Sequence, residues 1–324
     1  MRCSNKLLAL LLVIQSSFLF FVVFDSLEQS ASEHDDSFRA PYDDQSLRLC
    51  EENQYAKSLN MSLSAYSKAM DHWIENRVEI EKQLTLATMG HPHNHDRFKA
   101  FEVMGSCNQT CLGGPCRRDT SKIACGVQEN TMQAPCVVYS IGGNNFWQFE
   151  VDVLAKTPCE VHTFDCTGNI TRFQVPENPR LHFHHICLGT KNQVTETGEF
   201  WTLDKMTEQL NHTQIDLFKM DIEGYEFPLL TNWPIRTEKS YDNTVIPMQV
   251  LVEVHYQTHM PELAGNRKRD WKFATDMVNL QERLLKIGYA VVVRDDNARC
   301  AHCTELTLVR IRCPEVKSQR NNFP

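Results

Sequence analysis

Three acids close one short apolar run. In QIDLFKMDIEGYEFPLL, Gln214 to Leu230, the residues Ile215, Leu217, Phe218, Met220 and Ile222 are apolar, and Asp221, Glu223 and Glu226 gather around Gly224. Alternation along an extended chain puts Lys219, Asp221 and Glu223 on one side. A second run, PMQVLVEVHY, ends with Glu253 and His255 sharing its terminal face. A third, EVHTFDCTG, ends in Asp165, and a fourth, CVVYSI, ends in Gly142 and Gly143. Glycines let backbone approach a ligand closely, and a helix N-terminus behind them favours anionic groups. An acid about 20 residues past such a turn suits the hydroxyls of a ribose. Each feature also has a plain structural use: a tight turn, an Asp that caps the next turn, acids paired with Lys219, a His255 hydrogen-bonded at a sheet edge. Their recurrence at several strand ends favours a ligand site.

The elements that must position these residues alternate. Cys136–Ile141, Val161–Phe164, Leu181–Leu188, the run ending at Ile222, and Pro247–Tyr256 read as strands, too brief for buried helices. Asn144–Lys156 reads as a helix after the glycine turn, and Tyr225 to Leu230 opens another. Trp271–Ile287 is a third, with Met277, Leu280, Leu284 and Ile287 on one stripe and a stop at Gly288. Tyr289–Arg294 and Glu305–Arg312 are two last strands. This alternation with a terminal strand pair predicts an α/β sheet, parallel except near one edge. Upstream, Leu63, Tyr66, Met70, Trp73, Ile80 and Leu84 recur at helical spacing and predict one helix over Leu59–Ala87. His91, His93 and His95 could hold a metal, but alternation in a polar, Pro-containing stretch reads rather as an exposed loop. Cys107, Cys111, Cys116 and Cys125 crowd a Gly-rich segment, fit for zinc in the cytosol or disulfides in the lumen. Neither use gives that segment a catalytic role.

With these pieces in order, the chain resembles class I S-adenosylmethionine-dependent methyltransferases. The box KMDIEGYE, Lys219 to Glu226, is similar to the K-[IVM]-D-[IV]-E-G-x-E signature of FkbM-type methyltransferases. CVVYSIGG, VHTFDCTG, KMDIEGYE and VLVEVHY together resemble an animal family of methyltransferase-like proteins with secretory N-termini. The resemblance covers Pro135 to Arg312. It implies a Rossmann-like, seven-stranded, mostly parallel sheet with one reversed strand near an edge, here preceded by a helical, Cys-rich N-terminal extension. It implies S-adenosylmethionine over Gly142 and Gly143, with Ser140 and Asp165 beside it, and acceptor chemistry near Asp221, Glu223, Glu253 and His255. Two departures stand out: Ser140 replaces an acid common in class I enzymes, and Phe146 and Trp147 occupy a turn where a further Gly is usual.

Methyl transfer is an in-line displacement that, for a hydroxyl acceptor, also needs a proton removed. His255 is the first choice of base because its ordinary pKa lies near neutrality, and Asp221 is the second. Asp221, Glu223 and Glu253 could instead hold a divalent cation that acidifies the hydroxyl, although the motif does not require one. FkbM-type relatives methylate hydroxyl oxygens of sugars and related metabolites, so the resemblance implies O-methylation of a glycan, glycoprotein or small metabolite. Two rivals are a catalytically inactive binding protein on the same fold and a type II lumenal glycosyltransferase, for which Asp221-Ile222-Glu223 imitates a D-x-D motif. The glycine turn with Asp165 fits the methyltransferase better.

The net charge of −8 argues against a nucleic-acid partner. Leu7 to Phe24 carries no charge, follows Arg2 and Lys6, and precedes several acids. At ~1.5 Å per residue it spans most of a ~30 Å hydrocarbon core, with the C-terminal remainder in the lumen. The expected layout is a cytosolic tail (1–6), a signal-anchor (7–24), a stalk (25–50), the helical Cys-rich extension (51–134), the methyltransferase-like domain (135–316) and a tail (317–324). That makes a single-pass type II membrane protein of the Golgi or endoplasmic reticulum, or a secreted one if the segment is cleaved. Of 13 cysteines only Cys3 precedes the anchor; the remaining 12, an even number, suit disulfides, with Cys300 and Cys303 expected to pair elsewhere. Sequons at Asn60, Asn108, Asn169 and Asn211 agree with a lumenal glycoprotein.

Overall fold

The computed structural model describes residues 47–89, 95–118, 120–127, 132–235, 244–257, 272–296 and 300–314. The predicted anchor, most of the stalk, His91 and His93 lie outside them. Among the described residues no helix is long and apolar enough to cross a membrane. The strands in chain order are β1 (Leu47–Leu49), β2 (Gln109–Leu112), β3 (Lys122–Cys125), β4 (Val137–Ile141), β5 (Glu160–Phe164), β6 (Leu181–His184), β7 (Cys187–Leu188), β8 (Gln193–Thr195), β9 (Gly198–Trp201), β10 (Leu217–Met220), β11 (Gln249–His255), β12 (Tyr289–Asp296), β13 (Cys303–Arg310) and β14 (Arg312–Pro314). The helices are α1 (Leu63–Glu75), α2 (Arg77–Thr88), α3 (Gln148–Lys156), α4 (Leu203–Leu210), α5 (Glu226–Asn232) and α6 (Ala274–Ile287).

Seven strands form one sheet in the order β12-β13-β11-β10-β4-β5-β6. Pairing is parallel from β11 through β10, β4 and β5 to β6, and antiparallel on both sides of β13. The reversed strand is therefore next to one edge, as the sequence predicts. The inner strands are apolar because both faces are covered: Val138, Leu217, Phe218, Met220, Val250, Val252 and Val254 are all buried. The chain leaves β4 toward β5 on one side and later returns to β10 on the other. The C-terminal ends of β4 and β10 thus flank the topological switch point, where open α/β sheets bind ligands.

Several predicted boundaries move, each for a local reason. The single helix expected over Leu59–Ala87 is two. Ser62 caps the first by accepting from Ala65 N. Asn76 ends it: its side-chain amide donates to the His72 carbonyl in competition with the ladder. The helix after the glycine turn starts at Gln148 rather than Asn144, because Asn144 and Asn145 sit at left-handed φ of 47° and 67°. The run Leu181–Leu188 splits. Its first half is β6, while Cys187–Leu188 pairs with β9 in a separate three-stranded sheet. The stripe of α6 is buried as expected and Gly288 ends it at φ +114°, with the Arg312 carbonyl 2.3 Å from where a Cβ would stand.

All 12 cysteines of the described residues pair: Cys50–Cys313, Cys107–Cys125, Cys111–Cys116, Cys136–Cys159, Cys166–Cys187 and Cys300–Cys303, with Cα–Cα distances of 4.7–5.6 Å. Cys300 and Cys303 pair with each other and not with distant partners, because the turn before β13 brings them together.

Candidate functional site

The glycine turn is shaped by its neighbour across the switch point. Gly142 has φ +71°, and a Cβ there would stand 2.1 Å from the Asp221 carbonyl oxygen. Its N–H donates to the Phe164 carbonyl, and Asp221 N–H donates to the Ile141 carbonyl. Lys219, two residues before Asp221, donates its ammonium to the Gly142 and Ile141 carbonyls. Gly143 has room for a side chain, a Cβ there standing in ordinary contact at 3.8 Å from Glu150 Oε1 and the Phe146 carbonyl oxygen. In front of the turn lies a cavity of about 810 Å³. Its polar wall includes Asp165, Glu150, Asp221, Glu223, Lys122 and Lys219, and its apolar wall includes Phe146, Trp147, Phe164, Leu188, Phe200 and Ile222. A large, mostly apolar cavity with a few convergent polar groups is how small-molecule sites are built.

Asp165 reaches the turn directly. Its Oδ2 accepts from Gly143 N at 3.0 Å and Asn144 N at 2.7 Å, and its Oδ1 accepts from Thr167 N at 2.8 Å. The expected ribose partner is therefore also the clamp of the glycine turn. A carboxylate has about four acceptor positions, so roughly one remains for a ligand. Glu150, in the first turn of α3, is buried and lines the same cavity; its Oε2 has no hydrogen-bond partner among the described residues. A buried carboxylate oxygen left unmatched is costly, so this wall is built for a cationic or hydrogen-bonding group. Ser140 is buried within β4, its hydroxyl also unpartnered among the described residues, and it is not part of the cavity wall.

The acids at the ends of β10 and β11 divide into two groups. Asp221 and Glu223 line the cavity; Glu253 and His255 do not. Lys122, from β3, sits among Asp221 Oδ2 at 3.1 Å, Glu253 Oε2 at 3.4 Å and the Glu305 carboxylate. Glu253 and Glu305 are directly opposed on β11 and β13, a pair that repels when both are ionised and that the ammonium between them relieves. Burial opposes charge on Asp221, yet Lys122, Lys219 and His255 outweigh it and hold its carboxyl well below the usual range. Burial pushes Glu253 up to about 8, helped by Asp221 and Glu305 against the pull of Lys122. Burial likewise raises Glu305.

His255 does not present a free base. It is buried at the end of β11, with Nδ1 3.3 Å from Glu226 Oε1 and Nε2 3.7 Å from Glu223 Oε2. Burial works against its charge, but Glu226 above all, then Glu253 and Asp221, raise it to about 10. At neutral pH it is an imidazolium with no capacity to accept a proton. Glu226 is the organiser of the acidic turn: the same Oε1 accepts from Ile222 N at 3.1 Å and Gly224 N at 3.2 Å. Glu223 is held at φ +57° in that turn, a left-handed conformation uncommon for its residue type and concentrated at functional sites. Ligand atoms of Asp221, Glu223 and His255 lie within 4.8 Å of one another. A cation there would compete with the His255 proton and with Lys122 for Asp221, so these residues fit an ion-pair cluster better than a cation site.

Two contributors escape a reading of the sequence. Lys122 comes from the Cys-rich segment, which the disulfide and zinc alternatives leave without a role in the site. A two-way amide clamp, Cys125 N to Gln249 Oε1 at 2.6 Å and Gln249 Nε2 to Cys125 O at 3.0 Å, fixes β3 over β11, and the Cys107–Cys125 bridge ties the end of β3 to the chain before β2. Nothing local in the sequence marks that contact. Glu150 does carry a signal, an acid in the first turn of the helix behind a glycine turn.

A Rossmann-like sheet with a ligand cavity over a glycine turn at the switch point defines the architecture. The chain belongs to the methyltransferase-domain family, whose model matches residues 87–310. Among solved structures, it is similar to the Burkholderia thailandensis 1,6-didemethyltoxoflavin-N1-methyltransferase with bound 1,6-didemethyltoxoflavin and S-adenosylhomocysteine. The identity is 11% and the TM-score 0.31, over 55% of this chain and 72% of that one. No curated protein matches the chain.

Proposed function

We infer that this protein is an S-adenosylmethionine-dependent methyltransferase that methylates a hydroxyl oxygen of a glycan, glycoprotein or small metabolite in the secretory pathway. The observation that carries the reading is the cavity over Gly142 and Gly143, with Asp165 clamping the turn and Glu150 unmatched in its wall. Those residues fit the cofactor. Asp165 has one acceptor position left for a ribose hydroxyl, Glu150 offers its carboxylate to the cationic amino-acid end, and Phe164, Leu188 and Phe200 offer apolar surface to the base. When bound, S-adenosylmethionine would supply an electrophilic methyl group to the acceptor oxygen, with S-adenosylhomocysteine as the thioether leaving group and the hydroxyl proton released to solvent water.

Asp221 and Glu223 are the carboxylates that face the cavity on the acceptor side. Asp221 stays ionised and accepts a hydrogen bond from the acceptor hydroxyl, which orients it; its low basicity makes positioning its main contribution. The FkbM-like box supports a hydroxyl acceptor. The six disulfides and the sequons support a lumenal location, with 7–24 as the type II anchor. Calorimetric titration of the purified protein with S-adenosylhomocysteine tests the reading: one equivalent binds, while a nucleotide sugar does not. Absence of S-adenosylhomocysteine binding by folded protein would refute it.

A further inference from the structure

Away from the cavity, the edge of the sheet carries a second cluster. Strand β6 is an edge strand, paired in parallel with β5 so that His182 lies opposite His162. Alternation puts Glu160 and His162 of β5 on the same face as His182 and His184 of β6. Two imidazoles converge on one carboxylate oxygen: Glu160 Oε1 is 3.0 Å from His162 Nε2 and 2.9 Å from His182 Nε2. The three ligand atoms all lie within 4.8 Å of one another. None of these residues lines the cofactor cavity.

We propose that Glu160, His162 and His182 bind one divalent transition-metal ion of the zinc type, which ties edge strand β6 to β5. The ligand set is right for it, since imidazole nitrogen and carboxylate oxygen suit Zn²⁺ with bonds of about 2.0–2.2 Å. A tetrahedral ion of that size needs ligand atoms roughly 3.3–3.5 Å apart. The two distances to Glu160 are a few tenths of an ångström short of this, and side-chain rotation about the half-exposed Glu160 and His182, with side-chain exposures of 45% and 40%, supplies the adjustment. The third ligand, His162, is buried and held from behind. Its Nδ1 is 3.0 Å from His184 Nε2, and its ring packs edge-on against His212, whose Nδ1 is 2.8 Å from the Tyr139 hydroxyl. With the ion on Nε2, His162 Nδ1 must carry the hydrogen and donate it to His184, which gives His184 the supporting role that orients a metal-bound imidazole. The fourth position opens to solvent between Glu160 and His182. The ion would secure an exposed sheet edge, which proteins otherwise have to protect.

The test uses the full chain, stripped with a chelator and titrated with Zn²⁺ alone against a chromogenic indicator. One equivalent is expected to bind, with a rise in melting temperature that grows with free Zn²⁺. His182→Ala and Glu160→Gln, both at half-exposed positions, should each weaken Zn²⁺ binding by at least about tenfold and lose the melting shift. Circular dichroism should show them folded, and their S-adenosylhomocysteine binding should match the parent, whatever that is. Absence of stoichiometric Zn²⁺ binding by the parent overturns the proposal. So does undiminished binding by both variants, which would place the ion elsewhere on the chain.

Discussion

Lys122 stands 3.1 Å from Asp221 across 99 residues of sequence, and the same ammonium touches Glu253 and Glu305. One buried cation therefore neutralises a cluster that spans a disulfide-bonded hairpin, the acidic turn and two strands of the sheet. Removing one partner of a buried ion pair typically costs ~3–5 kcal/mol, because the other charge stays buried. Lys122→Met should lose stability of that order at pH 8. Without the ammonium, the folded-state pKa values of Asp221, Glu253 and Glu305 all move up. The variant's native state then binds protons that its unfolded state has released, and its deficit shrinks as pH falls toward 5. Urea midpoints at the two pH values check this; a deficit of the same size at both would mean that Lys122 acts by packing alone.

Two histidines shifted in opposite directions contribute to the pH dependence of the parent, beside Glu253, whose carboxyl, raised to about 8, adds a loss as pH rises toward that value. His255 is raised from the ordinary 6.5 to about 10, with Glu226 as its principal counter-charge. Its stabilisation is complete below pH 6.5 and is lost as pH rises through 10, at up to about 1.4 kcal/mol per pH unit. His162 is lowered to about 3, first by burial and then by His212, His184 and His182. In the chelator-stripped protein it stays neutral in the fold while the unfolded chain takes up a proton, so its contribution is lost as pH falls from 6.5 toward 3. The two histidine contributions together are greatest near pH 6.5, and above about pH 8, past the Glu253 titration, the further decline belongs to His255. His255→Gln should flatten the alkaline arm above about pH 8 and leave the acid arm in place. Thermal melts from pH 5 to 9.5 decide it, and an alkaline arm unchanged in the variant would refute the assignment.

The two glycines of the turn should fail in different ways. Gly142→Ala puts a Cβ 2.1 Å from the Asp221 carbonyl at a positive φ, so the turn or the end of β10 must shift and the fold should suffer by several kcal/mol. Gly143→Ala meets nothing closer than 3.8 Å, so the fold should stand while the added methyl narrows the cofactor side of the cavity. Urea unfolding paired with S-adenosylhomocysteine titration separates the two. Equal stability for both variants would show that the close approach at Gly142 relaxes freely.

The parts of this molecule legible in its sequence are those set by local pattern. The strand runs and the stripe of α6 with its Gly288 stop follow from periodicity and alternation, which depend on neighbours a few residues away. Asp165 and the glycine turn are found together because one βαβ unit fixes their spacing. The ion cluster is different. Lys122 and Glu305 are brought to Asp221 and Glu253 by an amide clamp and an antiparallel register, neither of which leaves a local mark. His255 shows the same limit in its chemistry. Its place at the end of β11 is readable, but its charge is set by Glu226, which turns an expected base into a cation.

Asp165 and Glu150 face one cavity, yet the protein needs them differently. Asp165 already accepts three backbone hydrogen bonds, from Gly143, Asn144 and Thr167. Asp165→Ala strands those donors, each worth about 1–3 kcal/mol where it stays buried. Stability and S-adenosylhomocysteine affinity should therefore fall together. Glu150 Oε2 has no protein partner among the described residues, and Oε1 receives only a 3.4 Å hydrogen bond from Thr163. A buried carboxylate oxygen so poorly matched is a cost to the fold that a bound ligand would offset. Glu150→Gln removes the charge and keeps the shape, so the urea midpoint should hold or rise. Affinity for S-adenosylhomocysteine should drop by about tenfold, the usual size of one charge-assisted hydrogen bond. Titration and unfolding of the two variants beside the parent read out both effects. Parent-like affinity in Glu150→Gln would remove Glu150 from the cofactor site, and parent-like stability in Asp165→Ala would show that the glycine turn holds without its clamp.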